Sequence, residues 1–272
     1  MSGVDTHSHG VFTWHGIVMS HATSPPVQSP SLDLPPAAAI TIYPVDGSET
    51  LIIPQSACTH DGFREWAVSD DFPRLGKFCF IEGELIVDMS PESIEEHSEV
   101  KTEICRVLAN HVRAQKLGRL YIDGVLITHK AARVSNEPDA LFISYATLQS
   151  GRLTFTPETG RPQSSKEIVG AVDWVLEIIS PSTRRKDAKL LRNAYFNAGI
   201  PEYWLIDALV EEDAPVDFQI LVAAEGGYVP VEPNVDGCQA SPTFDRSFRL
   251  TRQRDDNGLW QYTLEMKDSP SA

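Results

Sequence analysis

The chain is short of positive charge. Its 272 residues carry 23 Lys+Arg against 38 Asp+Glu, a formal net charge of -15 with a pI near 4.9, and neither Lys nor Arg occurs before Arg64. Non-specific duplex binding draws its affinity from phosphate neutralisation by basic side chains, so this composition excludes a broad basic DNA-binding surface and leaves only local contact. Cysteine is also scarce. Cys58, Cys79, Cys105 and Cys238 are far apart and form no C-x-x-C, which points away from a zinc cage or a disulfide framework and toward reduced thiols. No apolar run approaches the ~20 residues of a membrane span, and the N-terminus has neither a basic start nor a continuous apolar segment. The expectation is a cytoplasmic protein with no membrane partner. There is no internal repeat and no glycine-rich phosphate loop.

What is present divides into an arm and a domain. Residues 1–50 are rich in Ser, Pro, His and Ala, as in "HATSPPVQSPSLDLPPAAA", and such a stretch buries too little apolar surface to offset its ordering entropy. They are expected to form a flexible arm, in which His7, His9, His15 and His21 are more simply inert than metal-binding. Residues 51–272 are expected to form one domain, and 42% hydrophobic residues suffice for its core.

Within it, "THDGFREWAV" predicts a short helix, and "KFCFIEGELIVDM" predicts a hairpin turning at Glu82-Gly83. Apolar residues at helical spacing from Ile94 to Val112 predict a long amphipathic helix over 92–117, with Gly118 as its stop. "LYIDGVLIT" and "DALFIS" read as strands, 146–170 as a polar excursion, and 172–207 as strand, helix and strand. The short strands after Asp207 suit antiparallel additions to the main sheet.

The chemistry centres on Glu177. Every neighbour in "WVLEII" is apolar, so the strand is covered on both faces and the carboxylate is out of water. An unpaired buried carboxylate costs several kcal/mol, so it needs a cation, a metal ion, or a proton held by a raised pKa. Asp139, after Pro138 at the head of another strand, is placed to converge with it, and two carboxylates plus waters suit a hard cation such as Mg²⁺. Lys189, in the following helix, is a candidate to reach the same site.

The order Pro138-Asp139, then "EIISPST" (Glu177–Thr183), Asp187-x-Lys189 with Tyr195, and "GIPEYWLID" (Gly199–Asp207) resembles the Uma family, a branch of the restriction-endonuclease-like PD-(D/E)XK superfamily. The upstream "IEGELIVDMSP" with His97 is similar to that family's hairpin and first helix, and the likeness spans about residues 60–250. It implies a restriction-endonuclease-like α/β fold, a mixed β-sheet flanked by helices with extra antiparallel strands at the C-terminus. It further implies a homodimer and metal-dependent hydrolysis of DNA. By the resemblance, Asp139 and Glu177 hold Mg²⁺ or Mn²⁺, while Lys189 takes the role of the E-x-K lysine, whose usual position holds Ile179. Glu84 is assigned an outer ligand or hydrogen bond, and His97 a place lining the cleft.

Simpler readings stand beside these. Glu177 would serve equally in an ion pair with Lys189 or Arg185, and Asp139 as a strand-start carboxylate. Arg184, Arg185 and Lys186 form either a phosphate clamp or a solvated face, while Tyr195 and Trp204 are most simply core. A catalytically inactive nuclease-fold binding or regulatory module is the rival function, favoured by the acidic charge and the missing E-x-K lysine. Hydrolysis of a smaller phosphate ester is a third.

Overall fold

The computed structural model describes residues 17–20, 40–42, 51–158 and 161–269. Ile17–Ser20 (β1), Ile40–Ile42 (β2) and Leu51–Ile53 (β3) are short strands. The remainder of the expected arm, with its four histidines, lies outside the described residues. Helix α1 (His60–Ala67) starts where the Thr59 side chain accepts from Gly62 N–H, and it buries Phe63, Trp66 and Ala67 at helical spacing. Strands β4 (Lys77–Ile81) and β5 (Glu84–Asp88) form the expected hairpin. Its two turn residues, Glu82 and Gly83, have φ of 51° and 104°, the positive values that match strand twist.

A π-helical turn over Ile94–Glu99 leads into α2 (Val100–Gln115). This helix stops before Gly118, with Lys116 itself in the left-handed region at φ 53°. Gly118 instead opens β6 (Gly118–Ile122), where a Cβ would lie 2.0 Å from the Ile143 carbonyl oxygen. Strands β7 (Leu126–His129), β8 (Val134–Asn136) and β9 (Ala140–Ser144) follow.

The expected excursion at 146–170 is instead ordered structure: α3 (Tyr145–Ser150) and the hairpin of β10 (Leu153–Glu158) and β11 (Arg161–Gly170). Its alternation is masked in the sequence because one covered position is Glu167, which is made tolerable by a two-pronged pair with Arg64 of α1 at 2.6 and 2.9 Å. After β12 (Trp174–Ile178), a helical segment with a π-helical turn at Lys186–Leu191 continues as α4 (Arg192–Asn197) and returns through β13 (Glu202–Asp207). Strands β12 and β13 are parallel neighbours, as a strand, helix, strand unit requires. The chain ends with β14 (Asp217–Ala224), β15 (Gly227–Pro230), β16 (Gln239–Ser241), β17 (Arg246–Arg254) and β18 (Trp260–Asp268).

Two sheets dominate, in the orders β1-β5-β4-β8-β7-β11-β10 and β15-β14-β13-β12-β9-β6. The expectation that all late strands extend the main sheet holds for β14 and β15 only. Strands β16, β17 and β18 make a separate antiparallel sheet, because Phe248, Leu250, Tyr262 and Leu264 cover α2 and the outer face of the six-stranded sheet. That layer is rich in aromatics, with Trp174 and Trp204 edge to face at 5.3 Å. The opposite face, bearing Val175, Tyr203 and Leu205, packs on Tyr195 of α4 and on Cys79, Ile81 and Val134 of the seven-stranded sheet. Glu177 falls on this inner side, where the two large sheets meet. No helix among the described residues is long and apolar enough to cross a membrane.

Candidate active site

Asp139 stands immediately before β9, and the antiparallel register of β9 on β12 brings it across from Glu177. The Ile178 N–H donates to Asp139 Oδ2 at 2.7 Å, fixing the carboxylate against the strand end. Glu177, 3% exposed, is held on one oxygen only: Oε1 accepts from Tyr195 OH at 2.6 Å and from Asn136 Nδ2 at 2.8 Å. Its Oε2 lies 3.6 Å from the ammonium of Lys186, which also pairs with Asp187 at 2.6 Å. Burial pushes the Glu177 carboxyl up to about 8; Lys186 opposes that, while Asp187 and Asp139 reinforce it. Its surroundings are therefore short of the positive charge that an ionised Glu177 needs.

Asp139 has the reverse surroundings. His97 Nε2 lies 3.4 Å from its Oδ2, and Lys101 and Lys77 lie 3.1 and 3.5 Å from its Oδ1. Burial alone would raise its pKa, but these three cations hold it well below the usual carboxylate range. His97 is 2% exposed and flanked by carboxylates, Asp139 on one side and Glu92 on the other at 3.1 Å from Nδ1. Burial works against its proton, yet the two carboxylates raise it to about 9, so at neutral pH it is an imidazolium. Lys77 closes the group by reaching Glu92 at 2.6 Å.

Asp139, Glu177, Lys77, Glu92, His97 and Lys186 line one cavity of about 30 Å³. That exceeds the ~10–15 Å³ a water needs. Its wall is pinned where Asp88, at the end of β5, accepts from Ser182 Oγ at 2.7 Å and from Ser90 N–H at 2.9 Å. The hairpin is thereby tied to the loop that follows the Glu177 strand. Glu92, His97 and Asp139 bring ligand-type atoms within 4.8 Å of one another. Lys101 lies close to two of the three, 3.2 Å from both Glu92 oxygens and 3.1 Å from Asp139 Oδ1, so the trio is also part of an ion network.

Of the residues singled out in the sequence, Asp139, Glu177 and His97 meet in the cavity. Lys189 does not: it is exposed, and the lysine beside Glu177 is Lys186. The segment buries Asp187, Leu191, Ala194 and Tyr195. Two residues from both Asp187 and Leu191, about half a turn away, Lys189 sits on the solvent side. Tracing the buried face back to Asp187 would have singled out this first turn. Glu84 is not part of the cavity wall and pairs with Arg185 at 3.4 Å. Lys77, Glu92, Lys101 and Asn136 went unread because nothing local marks them. Tyr195 is core, as expected, and also a hydrogen-bond donor to Glu177.

The donor set answers whether a divalent cation suits this place. Glu177 offers a carboxylate oxygen unclaimed by strong hydrogen bonds, Asp139 stands across from it, and the wall carries more carboxylates than cations. Hard oxygen donors of this kind fit Mg²⁺ or Mn²⁺.

No curated protein matches the chain. Among solved structures, one titled a "putative nuclease belonging to DUF820", from Anabaena variabilis, is 20% identical, covering 68% of this chain and 90% of that one at a TM-score of 0.49. The sequence pattern of the Uma2 family, described as "Putative restriction endonuclease", matches residues 61–253, and the chain belongs to that family.

Proposed function

We propose that the protein is a divalent-metal-dependent endonuclease that hydrolyses DNA phosphodiester bonds at the Asp139–Glu177 cavity. The observation that carries this reading is Glu177: a buried carboxylate, hydrogen-bonded through one oxygen, that lines a cavity together with Asp139. Asp139 and Glu177 would hold the cation. When bound, Mg²⁺ or Mn²⁺ supplies Lewis acidity toward a phosphodiester oxygen and acidifies water.

The remaining roles belong to the chain. Tyr195 and Asn136 orient Glu177, so that no rotamer search is needed when substrate arrives. Lys186, half-buried beside Glu177, supplies positive charge for the oxygens that become more negative in the transition state. His97 and Lys101 keep Asp139 ionised and aimed. Glu84 acts at a distance by positioning Arg185, which offers a local phosphate contact on an acidic protein. The site is expected to work in a homodimer.

One observation favours the rival reading of an inactive binding module: both oxygens of Asp139 already have cationic neighbours, as in a closed structural network. Nicking of supercoiled plasmid and cleavage of single-stranded DNA, with Mg²⁺, Mn²⁺ or EDTA, separates the two. The nuclease reading predicts cleavage that stops in EDTA and falls by at least ~100-fold in Glu177→Gln and Asp139→Asn, the scale of losing several kcal/mol of electrostatic stabilisation. Absence of cleavage by the wild type under all these conditions would favour the module.

A further inference from the structure

Lys77 is the odd member of the group around Asp139. Lys101 and His97 are buried, with side chains 8% and 3% exposed. The Lys77 side chain is 46% exposed, lines the cavity, and extends from the first residue of β4. Its ammonium sits 3.5 Å from Asp139 Oδ1 and 2.6 Å from Glu92 Oε1. The ammonium therefore shares Asp139 Oδ1 with that of Lys101, 3.1 Å away, and is the more exposed of the two. Lys186, 3.6 Å from Glu177 Oε2, is the other lysine of the cavity lining.

Building on the metal-dependent reading above, we infer that Lys77 is a resident counter-ion at the cation seat: it competes with the divalent ion for Asp139, and when displaced turns outward to meet a phosphate of the bound strand. The physical basis is charge and reach. A divalent ion on Asp139 and an ammonium on the same oxygen repel one another, and Lys77 is the cation with an open path to solvent. A lysine stem carries four rotatable carbons, so an ammonium leaving Asp139 swings to the cavity mouth without moving the backbone. Its departure would place positive charge where the strand enters, on a protein that has little elsewhere.

The consequence is a variant whose two functions move in opposite directions. Lys77→Met keeps the stem and removes the charge; it should bind Mn²⁺ about tenfold more tightly than wild type while its KM for plasmid DNA rises several-fold. Lys77→Arg keeps the charge and should stay close to wild type in Mn²⁺ affinity. The experiment is calorimetric titration of the full chain with Mn²⁺ alone, without DNA, alongside cleavage kinetics and a thermal melt for each protein.

Tighter Mn²⁺ binding by Lys77→Met, with an unchanged melt, supports the competition whether or not DNA is cleaved. Equal or weaker binding in that variant, while wild type binds and cleaves, overturns the inference and leaves the nuclease reading standing. Failure of every protein to bind Mn²⁺ overturns both. Tighter binding with an unchanged KM overturns the phosphate-binding half.

Discussion

Glu177 sits at an inward position that an apolar side chain would fill at lower cost, and its neighbours show how that cost is met. Tyr195 OH and Asn136 Nδ2 satisfy Oε1, and Asn136 Nδ2 also donates to Tyr195 OH at 2.7 Å, so the three polar groups form a closed triangle. Removing the Tyr195 hydroxyl takes one donor from Glu177 Oε1 and one acceptor from Asn136 Nδ2. Tyr195→Phe should therefore cost about 1–3 kcal/mol in urea denaturation and slow cleavage several-fold. A variant as stable and as active as wild type would mean that Glu177 needs no such anchor. At this scale the sequence was informative where a residue contradicts its own surroundings. Glu177 is conspicuous within "WVLEII", and Asp139 was reached through its dipeptide and the family resemblance. Asn136 and Lys77 come from the other sheet, and nothing in their local sequence marks that approach. Lys186 was hidden for another reason: in a run of three basic residues, the one that turns inward is set by helical phase.

Among elements, the π-helical turns at Ile94–Glu99 and Lys186–Leu191 both open helical segments that present site residues, His97 in the first and Lys186 in the second. A π turn widens the helix locally, and it recurs at functional sites. Helix periodicity in the sequence announced both segments but not this widening. The hairpin of β10 and β11 was illegible because Glu167 stands where alternation calls for an apolar residue. Arg64 of α1 makes it acceptable, so that one ion pair fastens α1 to the outer strands of the seven-stranded sheet.

Burial raises the Glu167 pKa, but Arg64 and the Thr156 and Thr128 hydroxyls outweigh it and hold the carboxyl below its ordinary value of 4.5. A depressed carboxylate stabilises the fold above 4.5 and loses that contribution as pH falls through the lower folded value. Arg64→Ala should cost about 3 kcal/mol at pH 7, at the low end for breaking a buried pair, and the gap from wild type should narrow below about pH 4.5. Denaturant melts at pH 7 and pH 3.5 check this; a gap that is constant with pH would assign the loss to packing alone.

For the whole molecule, the two large sheets converge on one cavity crowded with carboxylates and cations, inside a chain with a formal charge of -15. The α/β class, the strand, helix, strand unit and the late antiparallel strands were legible because they rest on local periodicity and turn chemistry. The division into two large sheets and a third small one was not, since sheet membership is decided by long-range pairing. "LYIDGVLIT" illustrates this: it reads as one strand, yet β6 and β7, split at Asp123-Gly124, join different sheets.

The same crowding of charge makes the cavity either a working nuclease centre or a closed ion network, and one measurement divides these most directly. It is the Mn²⁺- and Mg²⁺-supported nicking rate of wild type, Glu177→Gln, Lys186→Met and Lys189→Met at matched purity and confirmed folding. A working centre predicts metal-dependent nicking that is lost in Glu177→Gln and Lys186→Met and retained near the wild-type rate in Lys189→Met. Equal nicking by all four proteins, or a loss confined to Lys189→Met, would contradict it.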